Sequence, residues 1–136
     1  MAADIIVTSR SARFGDTHGK WGFVGVWGMS QRLIRRVGGS YARLMMFSAR
    51  TIDAAEAMRV GLADICVADD ELEGEVARLA SEILDNSWHT SRTTKQLLTE
   101  TDGMSLADGL AHEYYRNPGP APDWRDRVAG FGRRGR

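Results

Sequence analysis

The stretch TIDAAEAMRVGLADICV, residues 51–67, contains the clearest succession of helix and strand signals in the chain. Asp53 and Glu56 form a D-x-x-E pattern, in which the first side chain can accept a hydrogen bond from the backbone N–H three residues later. The pattern predicts a short helix over residues 54–60 that ends at a glycine, followed by a strand over residues 62–67. Helix and strand in this order are typical of an α/β fold.

N-terminal to this stretch, the pattern changes from strand to helix. Residues 4–9 form a β-branched run typical of a buried strand, and residues 11–18 are predicted to be a second extended segment. Four glycines and two tryptophans in residues 19–28 predict an irregular, partly buried loop. Two helices are expected next, the first over residues 30–37 and the second capped by Ser40.

C-terminal to it, further helices are predicted. A second D-x-x-E pattern at Asp70 and Glu73 begins the clearest amphipathic helix of the chain. Helices are also expected over residues 93–101, after Ser105 and over residues 123–131. The sequence thus predicts two or three N-terminal strands followed by about six helices. Because two strands need neighbours and a cover to form a stable sheet, we expect a partial domain or an obligate oligomer.

Length and composition indicate one ordinary globular domain. The 136 residues are 43% apolar and 26% charged, and no apolar run approaches the roughly 20 residues of a membrane span. Cys66 is the single cysteine, so no cysteine-only metal site is expected and the cytoplasm is the predicted location. The net charge of zero argues against nucleic acid as the partner. The basic excess in residues 1–50 suits either a phosphate-bearing small molecule or a solvated face.

Several motifs, in this order, resemble the enoyl-CoA hydratase/isomerase (crotonase) family. Residues 28–33, GMSQRL, are similar to that family's G-G-x-Q-R-L segment, and residues 48–57, SARTIDAAEA, to its T-G-x-x-[IF]-x-A-x-E-A stretch. Residues 59–64, RVGLAD, resemble the x-x-G-L-V-N/D start of a strand. The two extended segments near the N-terminus resemble a strand pair in the middle of that fold. The resemblance runs from about residue 4 to about residue 100.

The resemblance implies a partial crotonase-like fold, namely its C-terminal half. It places residues 1–67 in the β/α core, followed by a helical region over residues 68–116. The residue pattern further predicts a proline-rich linker over residues 117–122 and a terminal helix with a basic tail over residues 123–136. Family members bind acyl-CoA thioesters, in which coenzyme A is part of the substrate, and no separate cofactor or metal is expected. Their two oxyanion-hole N–H groups and first catalytic glutamate would lie before the first residue.

The resemblance places the second catalytic glutamate of the hydratases at His18. A histidine can act as a general acid or base near neutral pH, although it would not reproduce two-carboxylate water chemistry. The alternative is a strand-end histidine that is hydrogen-bonded to the backbone. In an extended segment we expect Asp16 to point away from His18, which disfavours a His/Asp dyad. His89 and His112 are interpreted as surface residues.

The resemblance also implies substrate-binding residues at six positions: Trp21, Trp27, Gly28, Phe131, Arg133 and Arg134. The tryptophans, with Phe23 between them, either line the acyl pocket or fill the core. The glycine either starts a helix beside the substrate or serves a turn. The phenylalanine either closes the pocket or holds the last helix, and the arginines either lie near the phosphates of coenzyme A or form a solvated terminus.

The predicted function is 2-enoyl-CoA hydration or isomerisation, weak or absent in these residues alone because the oxyanion donors would be missing. The alternative is a non-catalytic interaction module that pairs with itself or with a full-length member of the family. A further alternative is an upstream reading frame that supplies the other half. No nucleic-acid or membrane partner is expected.

Overall fold

Short strands alternate with helices along the chain, which confirms the predicted α/β class. The computed structural model describes residues 2–131, and the chain divides into two compact units, residues 1–79 and 80–136. The described residues contain four strands: β1 (Val7–Ser9), β2 (Arg13–Gly15), β3 (Thr51–Asp53) and β4 (Ile65–Val67). They also contain seven α-helices: α1 (Met29–Val37), α2 (Gly39–Ser48), α3 (Ala54–Arg59), α4 (Leu72–Asp85), α5 (Trp88–Glu100), α6 (Leu106–Arg116) and α7 (Trp124–Phe131). Two of the four strands therefore follow helices instead of preceding them.

Two small sheets bring the N-terminal segment against the middle of the chain. β1 pairs in parallel with β4, with Thr8 opposite Cys66, and β2 pairs antiparallel with β3, with Phe14 opposite Ile52. A parallel pair requires a long connection between its strands, and this connection contains α1, α2 and α3. The sheets therefore place residue 15, where β2 ends, on the same framework as the first three helices.

The core of the first unit is formed by α1, α2, β3 and α3. Leu33 of α1 is 1% exposed and is the one large side chain in residues 2–131 that is below 2% exposed. Gly38 separates α1 from α2 at a φ of +77°, a conformation that favours glycine, and this confirms the predicted end of the first helix. The buried cluster consists of Leu33, Ala42, Met45, Ile52, Ala57, Leu62 and Ala63.

Helix starts follow the predicted caps at two positions and depart from them at two others. Glu56 N–H donates to the Asp53 side chain at the start of α3, and Ser105 caps α6, as predicted. α2 begins one residue before Ser40, which therefore does not cap it. The helix predicted to begin near Asp70 starts later, at residue 72, because a 3-10 turn over residues 69–71 comes first.

The second unit consists of helices with little burial of their own. Ser87 caps α5 by accepting a hydrogen bond from Thr90 N–H at 3.3 Å. Ala121, at 5% exposed, is the one buried apolar residue within residues 80–131. Large apolar side chains such as Leu106, at 80% exposed, are left at the surface of this unit. The domain boundaries predicted after residues 67 and 116 stay predictions.

Within residues 2–131, none of the helices combines the length and the apolar character that crossing a bilayer would require.

Candidate active site

His18 lies where β2 gives way to a short helical turn. The strand ends at Gly15, and a 3-10 helix runs over His18–Trp21. Between them, Asp16 is buried, with 5% of its surface exposed. Its Oδ1 accepts a hydrogen bond from the His18 backbone N–H at 3.0 Å and lies 2.5 Å from Nδ1 of the His18 imidazole. The carboxylate thus contacts both the backbone and the ring of the same histidine.

This arrangement overturns the expectation that Asp16 and His18 point apart. Residues two apart share a face even in a strand, so the expected divergence was wrong in principle. The segment is also not extended here, because an aspartate that accepts from the N–H two residues on forms a local turn. The D-x-H spacing, with its potential for such a turn, is the signal that could have identified the pair.

The glycine-rich loop folds back over the His18 ring. Gly22 adopts a φ of +69°, and Phe23 N–H donates to the His18 carbonyl at 3.1 Å, which reverses the chain direction. A Cβ atom added at Gly25 would lie only 3.2 Å from Cε1 of His18, so the backbone packs directly against the imidazole. The Trp27 ring lies on the same side chain, with the two ring centroids 5.8 Å apart.

The aromatic residues of this loop do not fill the core. Trp21 is 72% exposed and Trp27 is 78% exposed, and Phe23 between them is 70% exposed. Val24 and Val26 are also exposed, so the partly buried loop predicted for residues 19–28 is wrong. The large size of these side chains favours burial, but the rest of the described first unit, residues 2–79, leaves them exposed. The loop therefore exposes several large apolar side chains next to His18 in the sequence.

Gly28 connects this loop to α1. It precedes the helix at a φ of +77°, and its carbonyl accepts from Arg32 N–H at 2.8 Å in the first turn. A side chain at this position would be strained by the backbone conformation, whatever the space around it. The structure thus places Gly28 at a helix start, beside the loop that carries Trp27.

Ion pairs and hydrogen bonds also connect the elements of the first unit. Arg36 of α1 forms an ion pair with Asp64, which precedes β4. Glu56 accepts hydrogen bonds from the Arg59 guanidinium and from the Tyr41 hydroxyl, the latter at 2.6 Å. The Arg59 contact, followed by the Tyr41 contact, lowers the pKa of Glu56 from 4.5 to about 2. Asp64 and Glu56 thus contribute to the stability of the fold, and both are distant in sequence from His18.

A separate cleft of about 400 Å³ lies within residues 88–118. His112 Nε2 contacts Glu100 Oε2 at 2.7 Å, and hydrogen bonds from Gln96 and then from His112 lower the pKa of Glu100. Nε2 of His89 is buried and has no hydrogen-bond partner within residues 2–131. Both histidines are half-buried, so their interpretation as surface residues is only partly right. None of the predicted site residues lines this cleft.

The remaining predicted positions are at the C-terminal end. Phe131 is the last residue of α7, in the second unit. Arg133 and Arg134 lie outside the described residues. The structure therefore brings together His18 and Trp27, places Gly28 and Trp21 on the same segment, and leaves the roles of the C-terminal residues as predictions.

Comparisons with known proteins match this arrangement to one family. A sequence profile described as Enoyl-CoA hydratase/isomerase matches residues 1–115. A probable enoyl-CoA hydratase of Mycobacterium leprae is 36% identical over 113 residues, which are 83% of this chain and 44% of the relative. The crystal structure of an enoyl-CoA hydratase from Bacillus anthracis superposes with a TM-score of 0.93 at 26% identity, covering 98% of this chain and 52% of that one.

A structure from Thermobifida fusca, solved in complex with acetoacetyl-CoA, superposes with a TM-score of 0.80 at 31% identity. That match covers 94% of this chain and 48% of the Thermobifida fusca chain. The chain thus spans about half the length of the relatives it matches.

Proposed function

This chain belongs to the enoyl-CoA hydratase/isomerase family, and from that premise we propose that it binds acyl-CoA thioesters and contributes His18 as an acid/base group in enoyl-CoA hydration or isomerisation. The observation that carries the proposal is the position of His18 under Gly25 and beside Trp27, at the position where the resemblance places a catalytic glutamate. An imidazole there can accept a proton and return it near neutral pH.

The exposed loop supplies an apolar surface for the acyl chain. Trp21 and Trp27 project from the segment that carries His18, and burial of their rings by an acyl group would remove apolar area from water. Gly28 caps the N-terminus of α1 next to this loop, where backbone N–H groups favour negative charge. The resemblance further suggests Phe131, Arg133 and Arg134 as substrate-binding residues, the two arginines near the phosphate groups of coenzyme A.

Coenzyme A is part of the substrate in this proposal, and no additional cofactor or metal takes part. The bound relative from Thermobifida fusca supports a thioester ligand, because it holds acetoacetyl-CoA on a fold that superposes on this chain. A cytoplasmic location fits both a soluble thioester substrate and a single cysteine that forms no intrachain disulfide.

The 136 residues alone are proposed to be weak or inactive. The resemblance places the two oxyanion-hole N–H groups in the part of the relatives that this chain does not match, and the loss of one such donor costs roughly 10²–10³ in rate. A crotonyl-CoA hydration assay on the purified chain, with a full-length family enzyme as the reference, tests this. Turnover within about tenfold of the reference would contradict the proposal of weak activity.

The second candidate is a non-catalytic interaction module that pairs with itself or with a full-length member of the family. The exposed apolar side chains of residues 21–27 favour it, because clustered exposed apolar residues often mark an interaction surface. The short strands β1 and β2 belong to two-stranded sheets, which need additional cover to be stable. Light scattering on the purified chain distinguishes the candidates, since a clean monomer would count against self-pairing.

A further inference from the structure

We propose that Asp16 is a positioning residue that fixes neutral His18 as the Nδ1–H tautomer, so that Nε2 is the nitrogen that exchanges protons with a ligand. This deepens the role of His18 and rests on the proposed function only for the identity of that ligand. The geometry of the pair can be tested without any substrate.

The hydrogen-bond chemistry of the carboxylate dictates the tautomer. An ionised carboxylate only accepts hydrogen bonds, so the nitrogen that faces Asp16 has to carry a proton. That nitrogen is Nδ1 of His18, 2.5 Å from Oδ1. The same oxygen accepts from the His18 backbone N–H at 3.0 Å, which holds the carboxylate in place relative to the ring. Within residues 2–131, both hydrogen bonds to the Asp16 side chain thus come from one residue.

The two side chains of this pair differ in their exposure to solvent. The Asp16 side chain is 6% exposed, whereas the His18 side chain is 26% exposed, so the carboxylate is shielded while part of the ring is open. Gly25 and Trp27 also lie close to the imidazole. Nε2 has no hydrogen-bond partner within residues 2–131, and it is therefore the ring nitrogen left for an incoming group.

In the resulting proton transfer, Nε2 of His18 both takes up and returns the proton. The lone pair of Nε2 takes a proton from a C–H or O–H group of the ligand, and the electron pair of the broken bond stays on the ligand. The Nδ1–H bond remains in place, hydrogen-bonded to Asp16. The imidazolium then returns a proton from Nε2, which restores the starting tautomer. A carboxylate behind a histidine that shuttles protons in this way acts by orientation, as in hydrolytic triads.

The chain carries its own control for the tautomer. In His112 it is Nε2 that faces a carboxylate, that of Glu100 at 2.7 Å. The same rule therefore predicts the opposite tautomer, with the proton on Nε2. The two histidines should differ within one sample, whereas a general preference of histidine in solution would affect both in the same direction.

The test is ¹⁵N NMR of the histidine side chains in the full chain at about pH 8.5, where an ordinary histidine with a pKa of about 6.5 is neutral. The signals of His18 are assigned by their loss in His18→Gln. We expect a protonated Nδ1 and an unprotonated Nε2 for His18, and the reverse for His112. A neutral His18 that is mainly protonated at Nε2 would overturn the proposal, and the tautomer is read from the unaltered chain, with His18→Gln used only to assign the signals.

Two variants separate the carboxylates. Asp16→Ala should remove the Nδ1–H preference of His18 and leave His112 unchanged, whereas Glu100→Ala should do the reverse. An Asp16→Ala chain that retains its His112 signals and an unchanged His18 tautomer would also overturn the proposal. If only the proposed function is wrong, both histidines will show the expected tautomers but the chain will bind no thioester.

Discussion

Truncation of Leu33 to alanine is the sharpest test of how this fold holds its site. Leu33 is 1% exposed and belongs to the buried cluster of the first unit, together with Ala42 and Met45 of α2. Leu33→Ala removes three carbon atoms, which at about 0.8 kcal/mol each amounts to roughly 2.4 kcal/mol of lost transfer free energy. The cavity that remains adds to this cost, because the two helices relax only partially, and we expect a total loss of about 3 kcal/mol in the free energy of unfolding.

Urea denaturation, followed by the amide NMR signals of α1 and α2, measures this loss. With a slope of about 1.5–2 kcal/mol per molar urea for a small unit, the midpoint should fall by about 1.5–2 M. Leu44→Ala is the matched control, because Leu44 lies on α2 and is 40% exposed, and its substitution should cost less than about 1 kcal/mol. Equal midpoints for the two variants would refute the assignment of Leu33 to the centre of the core.

Three further predictions follow from single contacts. Gly25→Ala should lower the free energy of unfolding by about 1 kcal/mol, because the new Cβ would lie 3.2 Å from Cε1 of His18. The substitution should also shift the NMR signals of the His18 ring, and unchanged ring signals would contradict the packing. The depressed pKa of Glu56, about 2, means that its contribution to stability is complete above about pH 4.5 and disappears as the pH falls towards 2. Urea midpoints between pH 5 and 2 should therefore fall more steeply for the unaltered chain than for Glu56→Gln, and parallel curves would refute this. Gly74→Ala, in α4 with open space around it, should raise the free energy of unfolding by about 0.5–1 kcal/mol, and a lower melting temperature would contradict that.

The local elements of this fold are predictable from the sequence because short-range chemistry determines them. Asp53 accepts from Glu56 N–H at 2.8 Å, as the D-x-x-E spacing predicts, and α1 ends at Val37, as predicted, with Gly38 as its C-cap. Asp70 does not cap α4, because a 3-10 turn over residues 69–71 comes before that helix. Residue spacing therefore predicts a cap only where the backbone adopts the geometry that the cap requires.

Strand pairing and burial were less accessible to sequence reasoning. The pairing of Thr8 with Cys66 depends on where three intervening helices place β4, and residue spacing contains no such information. The exposure of Trp21 and Trp27 depends on whether another surface covers the loop, whereas their size alone favours burial. Residue type alone does not predict whether a tryptophan is buried in the core or exposed at a surface.

The family resemblance predicted His18 as a site residue, but it did not predict that Asp16 contacts the His18 ring. The predicted divergence of Asp16 from His18 is wrong because residues two apart share a face in a strand, and the turn at this point brings the carboxylate to the imidazole. The geometry of a turn depends on two or three backbone angles that a residue pattern does not specify. The D-x-H spacing allowed the contact, and only the coordinates decide between a dyad and two separate side chains.

Titration of the ¹⁵N-labelled full chain with acetoacetyl-CoA, followed by NMR at the side-chain nitrogens of His18 and Trp27, tests most directly whether this segment receives a thioester. The expected result is a saturable change at both side chains, with a dissociation constant of about 1 mM or tighter, while the His112 signals stay fixed. Spectra that remain unaltered at His18 and Trp27 up to several millimolar ligand, or that change only in residues 80–131, would contradict it.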